Sequence, residues 1–123
     1  MPEMLLNDLN FFVFLFEALV VRDLRIYAEI IGGKVFHYRN LDINKEIDAV
    51  VEIADGRWIA IEIKLGANQV DEAAKNLVKL RDTFAKDEKY NKLVALVIIC
   101  GVIDIAYKRD DGIIVVPITA LKP

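Results

Sequence analysis

Cysteine and histidine are almost missing from this sequence: Cys100 and His37 are the only ones in 123 residues. A single cysteine excludes an internal disulfide, and a single histidine with no cysteine nearby excludes a zinc-type ligand set. Cys100 closes the apolar run Leu93 to Cys100 and reads as a small buried hydrophobe rather than a reactive thiol. His37 reads as a strand histidine, with substrate contact as the alternative. There is no glycine-rich loop of the Walker type, so an ATPase motor is not encoded here, and no triad pattern for nucleophilic catalysis.

Positive charge is also in short supply. Sixteen Lys and Arg face nineteen Asp and Glu, for a net charge of -3 and a pI near 5.2. A domain that grips the phosphate backbone unaided usually carries a basic patch, whereas Arg22, Arg25, Lys34, Arg39 and Lys64 are scattered along the first half. Long apolar runs are missing too. The longest, Phe11 to Val21, is broken by Glu17 and falls well short of the roughly 20 residues needed to span a bilayer. With no basic-start leader pattern either, the expectation is a cytoplasmic protein without a membrane partner.

What the chain does have is apolar residues, 55% of the total. That is above the usual share and calls for a sheet covered on both faces or a face covered by a partner. The length fits one domain over residues 1–123. Helical spacing at Leu9, Phe12, Val13, Phe16, Leu19, Val20, Leu24, Tyr27, Ile30 and Ile31 predicts a first helix from Leu5 or Asp8 to Ile31, stopped by Gly32-Gly33. A strand is expected at Lys34 to Arg39. Asn68 is placed to cap a second helix with the stripe Val70, Ala73, Ala74, Leu77, Leu80 and Phe84. Leu93 to Val102 reads as a buried strand, parallel to a neighbour because a helix precedes it. A closing hairpin, Ile105 to Arg109 and Ile113 to Ile118, turns at Asp110-Asp111-Gly112. The order αβββαβ with a C-terminal hairpin predicts an α/β fold, a central mixed β-sheet flanked by helices.

Chemistry concentrates in the second and third strands. Lys45 to Ile53 and Arg57 to Leu65 are separated by Ala54-Asp55-Gly56, a three-residue loop with glycine at the left-handed position. Pairing Ile53 with Arg57 sets Asp48 opposite Glu62 and Glu46 opposite Lys64. One face then carries Ile47, Ala49, Val51, Ile53, Ile59, Ile61, Ile63 and Leu65, and the other gathers the charges at the end away from the turn. Two carboxylates and an ammonium in the pattern D-x13-E-I-K suit a magnesium-dependent phosphodiester hydrolase, which needs hard oxygen ligands and a positive charge beside the attacked phosphate. Plain solvent-facing alternation with a Glu46–Lys64 ion pair is the other reading of the same spacing.

Three segments, FLFEALVVRDLRIYAE, KVFHYRN and EIDAVVEIADGRWIAIEIKLG, together with the ending ICG and AYKRDDGIIVVPITALKP, resemble the DUF4143 domain found at the C-terminus of AAA-type ATPases. The resemblance implies the PD-(D/E)XK nuclease-like fold. It matches Asp48 and Glu62 to two metal ligands, with the Ile63 carbonyl completing the protein's share around Mg2+ or Mn2+. Lys64 matches the lysine that orients the attacking water, and Glu17 matches an acidic residue on the first helix. Gln69 resembles a polar residue that some relatives place at the start of the next helix, and a role as the mere first turn of that helix is equally open.

The expected function is metal-dependent hydrolysis of phosphodiesters, with DNA and an AAA-type ATPase as expected partners. The acidic pI and the apolar excess support the alternative, a non-catalytic packing module that covers such an ATPase or forms a homodimer.

Overall fold

The computed structural model describes residues 3–40, 45–86 and 92–121. Its order is α1 (Glu3–Ile30), β1 (Lys34–Asn40), β2 (Lys45–Glu52), β3 (Trp58–Lys64), α2 (Val70–Phe84), β4 (Leu93–Cys100), β5 (Tyr107–Lys108) and β6 (Ile114–Pro117). The six strands form one mixed sheet in the order β1-β2-β3-β4-β6-β5. β1, β2 and β3 pair antiparallel, β3, β4 and β6 run parallel, and β5 returns antiparallel on β6. The protein is thus an α/β domain with a mixed sheet and two helices. Among the described residues no helix is long and apolar enough to cross a membrane.

Local chemistry accounts for the turns. α1 stops at Gly32, whose φ of 76° continues no right-handed helix. The β2–β3 loop closes with Ile53 N–H donating to the Arg57 carbonyl at 2.9 Å and Gly56 at φ 90°. Asp55 reinforces it, accepting from the Arg57 backbone N–H at 3.0 Å and from Arg57 Nε at 2.7 Å. These hydrogen bonds, with the turn backbone first, hold the Asp55 carboxyl below its ordinary range. β3 and β4 need a crossover because they are parallel, and α2 supplies it.

Each face of the sheet buries one helix. α1 lays Val20, Leu24 and Ala28 on Ala49, Val51, Ile61, Ile63 and Ile99. α2 lays Val70, Ala73, Ala74, Leu77, Leu80 and Phe84 on the opposite face, against Ile47, Val50, Trp58, Ala60 and Ile98 among others. Trp58 and Tyr38 meet the Phe84 ring edge-on, with centroids 5.6 Å and 5.7 Å apart. The two-sided cover explains much of the apolar excess.

Several expectations are corrected in detail. Ile47 lies in the α2-side core, not with Ala49 as strict alternation requires. The reason is a bulge: Phe36 is opposite Val50 but Tyr38 is opposite Ile47, so three steps on β2 match two on β1. Asn68 does not cap α2. A short 3-10 turn, Ala67–Gln69, precedes the helix, and the Gln69 side chain accepts from the Gly66 N–H at 3.1 Å. The closing hairpin is shorter than expected, since Ile105 lies outside any strand and is exposed. The side chains of Leu9 and Phe12, expected on the apolar face of α1, lie outside the described residues.

Candidate functional site

The β2–β3 register is the one the loop implied: Glu52 pairs with Trp58, Val51 with Ile59, Val50 with Ala60 and Ala49 with Ile61. Continued by one step, it brings Asp48 to Glu62. Here the bulge takes effect, because the extra residue lets Asp48 turn toward the α1 side of the sheet. Its Oδ2 accepts from the Ile63 backbone N–H at 2.9 Å, and it lines a cavity of about 360 Å3 together with Glu17, Ala18, Val21 and Arg25 of α1, Val35, Phe36 and His37 of β1, and Glu46 and Ile63. The expectation that Asp48 shares a face with Val50 is corrected by the same bulge.

Glu62 is 8% exposed and the only buried charged residue among those described. It is no solvent-facing member of an alternating strand. Its carboxyl is hydrogen-bonded to that of Asp48, and burial first, then this bond and the Asp48 charge, push its pKa up to about 9. Lys64 pulls the other way, and Glu46 adds to the rise. Glu17, partly buried across the cavity, is raised above the ordinary carboxylate range by burial and then by Asp48, with Lys64 again opposing. Glu17, Asp48, Glu62 and Lys64 therefore form one electrostatic cluster, joined by Glu46.

Glu46 has a different partner from the one expected. Rather than pairing with Lys64, its Oε1 lies 3.1 Å from His37 Nε2. His37 Nδ1 is 3.4 Å from the Asp48 carbonyl. His37 thus bridges the rim of the cavity to the bulge, a placement set by the β1–β2 register and by no local pattern. Arg25 on the cavity wall was likewise not singled out by spacing. Cys100 is buried with its Sγ 3.9 Å from the Leu65 carbonyl, as expected of a packing cysteine.

Close packing at one glycine brings α1 near the end of the sheet that bears this cluster. Gly101 donates its N–H to the Lys64 carbonyl at 3.0 Å. A Cβ there would stand 2.9 Å from Phe16 Cζ and 3.1 Å from Leu65 Cδ1. The ring next to Glu17 thus sits against Gly101, just past the end of β4 and one hydrogen bond away from the strand that carries Glu62 and Lys64.

The profile of DUF4143, a domain of unknown function, matches residues 13–121. The chain belongs to this family. The match spans every site residue from Glu17 to Lys64. No curated protein and no solved structure matches the chain.

As a cation site, the DUF4143 cluster offers two carboxyls in contact, Asp48 and Glu62, with Glu17 across the cavity. Among the described residues no three acidic, histidine or cysteine side chains converge as a ready ligand cage. Magnesium does not require one, since it commonly takes one or two carboxylates and keeps several waters. Two carboxyls pressed together under burial, so that one must hold a proton, suit a hard divalent ion that would replace that proton.

Proposed function

We propose that this DUF4143 domain is a metal-dependent phosphodiester hydrolase of the PD-(D/E)XK nuclease-like kind, acting on DNA in association with an AAA-type ATPase. The observation that carries the reading is the buried Glu62 carboxyl held against Asp48, with Lys64 acting on both it and Glu17, and with Asp48 in turn lining the cavity that Glu17 of α1 lines. A structural strand has no use for a nearly fully buried carboxyl beside a second one, because burying it ionised is costly. A site that binds Mg2+ or Mn2+ does.

In this reading Asp48 and Glu62 hold the ion, with the Ile63 carbonyl as the further ligand. The ion would supply Lewis acidity and a more acidic water. The Ile63 N–H fixes the Asp48 carboxylate in place. Lys64 orients the attacking water and offsets the negative charge that grows on the phosphoryl oxygens. Glu17 accepts a hydrogen bond from a water in the cavity and is well placed to take its proton, since a carboxylate of raised pKa is a better base at neutral pH. Arg25 on the cavity wall offers a cation to a phosphate.

A second reading, a packing module with no chemistry, is favoured by the apolar residues exposed along α1. Cleavage separates the two. The purified chain with Mn2+ is expected to cut single-stranded, duplex or branched DNA, and Asp48→Asn, Glu62→Gln and Lys64→Ala should each abolish cutting while circular dichroism stays native. No cutting of any of the three substrates would favour the packing module, and cutting that survives all three substitutions would refute this site as its source.

A further inference from the structure

The outer face of α1 remains to be accounted for. Phe11, Leu15, Leu19, Ile26 and Ile30 are between 41% and 68% exposed, and they lie on the side of the helix opposite Val20, Leu24 and Ala28. Arg22, exposed beside them, completes the stripe. Scattered exposed hydrophobes are ordinary, but five on one side of a long helix, interrupted at the centre only by Arg22, mark an interaction surface. From Asn10 to Val21 the sole charged residue is Glu17, which faces the cavity on the other side.

The order of the stripe says what covers it. Its positions 11, 15, 19, 22, 26 and 30 are spaced 4-4-3-4-4, and that series reads the same in both directions. An isologous contact needs a surface complementary to its own reversed copy, whereas an unrelated partner imposes no such symmetry.

We propose that α1 pairs antiparallel with α1 of a second copy of this chain, about a two-fold axis between Leu19 and Arg22. Phe11 then meets Ile30 of the other copy, Leu15 meets Ile26, and Leu19 meets the aliphatic stem of Arg22. The guanidinium need not be buried bare, since Asp23 Oδ1 of its own chain is 3.6 Å away. Arginine stems are common at such places because the stem packs while the head stays solvated.

The size of the contact is sufficient. Phe11 to Ile30 covers about 28 Å of helix. Two helices touching over that length bury on the order of 1,200 Å2 in total, the lower end of specific interfaces, so a dimer of micromolar affinity is expected. The proposal goes beyond the catalytic reading and does not rest on it, because the stripe and the carboxylate cluster occupy opposite sides of α1.

Sedimentation of the full chain from about 1 to 100 µM tests the affinity expected from such an area. A monomer–dimer equilibrium is expected, and Leu15→Lys or Leu19→Lys should weaken it at least about tenfold, as truncation of a central apolar contact does, while leaving the far-ultraviolet circular dichroism and Trp58 fluorescence native. Orientation is read separately. Mixed Leu15→Cys and Ile26→Cys chains should cross-link to each other under oxidation, and neither should cross-link to itself; buried Cys100 does not interfere. A monomer throughout the range overturns the proposal, whether or not the chain instead binds neutral phosphatidylcholine vesicles. So does a dimer indifferent to both lysine substitutions, or a Leu15→Cys chain that couples to itself.

Discussion

Glu62→Gln should make the isolated domain more stable at neutral pH, the reverse of what removing a buried polar contact normally does. Glu62 holds its proton up to about pH 9 in the fold, against an ordinary value of 4.5. Its contribution is therefore fully present below about pH 4.5 and is lost as the pH rises toward 9, because over that window the folded state binds the proton and the unfolded state does not. The loss accumulates at up to about 1.4 kcal/mol per pH unit, reaching on the order of 3 kcal/mol at pH 7. Against a total stability of roughly 5–15 kcal/mol that is a large share.

Glutamine has the same shape, can still donate to Asp48 and does not titrate, so its curve should be much flatter. Glu17, also raised, leaves a smaller residual slope of the same sign. Urea unfolding without divalent ions, followed by the fluorescence of Trp58, reads this directly, since Trp58 is the sole tryptophan and packs against Phe84. Wild type and variant should be close near pH 5 and diverge by pH 8. Parallel stabilities across that range would refute the buried carboxyl pair on which the site argument rests.

Magnesium or manganese at millimolar concentration should raise the thermal midpoint at pH 7.5 in wild type and leave Asp48→Asn unmoved, because an ion that binds the folded state alone stabilises by mass action; an equal shift in both would place the ion elsewhere. Gly101→Ala should cost about 1–3 kcal/mol by overpacking against Phe16, and should lower cleavage more than Phe16→Leu does, since it displaces the helix bearing Glu17; wild-type stability and rate would show that the ring yields freely. Ile61→Ala or Ile63→Ala should cost about 2–5 kcal/mol through cavity formation, measured by the same urea unfolding; a loss below 1 kcal/mol would contradict their near-complete burial.

The parts of the fold that the sequence revealed are those governed by near neighbours. The β2–β3 hairpin follows from alternation and from Gly56, both contained within 21 residues from Lys45 to Leu65. The α2 stripe and the end of α1 at Gly32 are equally local. What stayed hidden depends on distant partners. The bulge at Asp48 exists only in relation to β1, so neither the transfer of Ile47 to the α2 side nor the turning of Asp48 toward α1 is written in β2 itself. Glu46 was assigned to Lys64 because cross-strand pairing was reckoned on β3 alone, while β1 on its other side brings His37 closer. Gln69 rather than Asn68 holds the position before α2, without a side-chain cap bond to the helix, because a 3-10 turn inserts there.

The bulge also bears on how such a site is lost over time. Removing Asp48 itself would straighten the ladder and restore plain alternation: Ile47, then two positions from Val50, would stay on the α2 side and Ala49 on the α1 side, and only the carboxylate would be gone. Most of the sheet pairs and both helix stripes would survive such an in-frame loss of one codon. The proposed chemistry of this domain thus hangs on a single supernumerary position in an otherwise regular strand, and a descendant could give it up while keeping its architecture nearly whole.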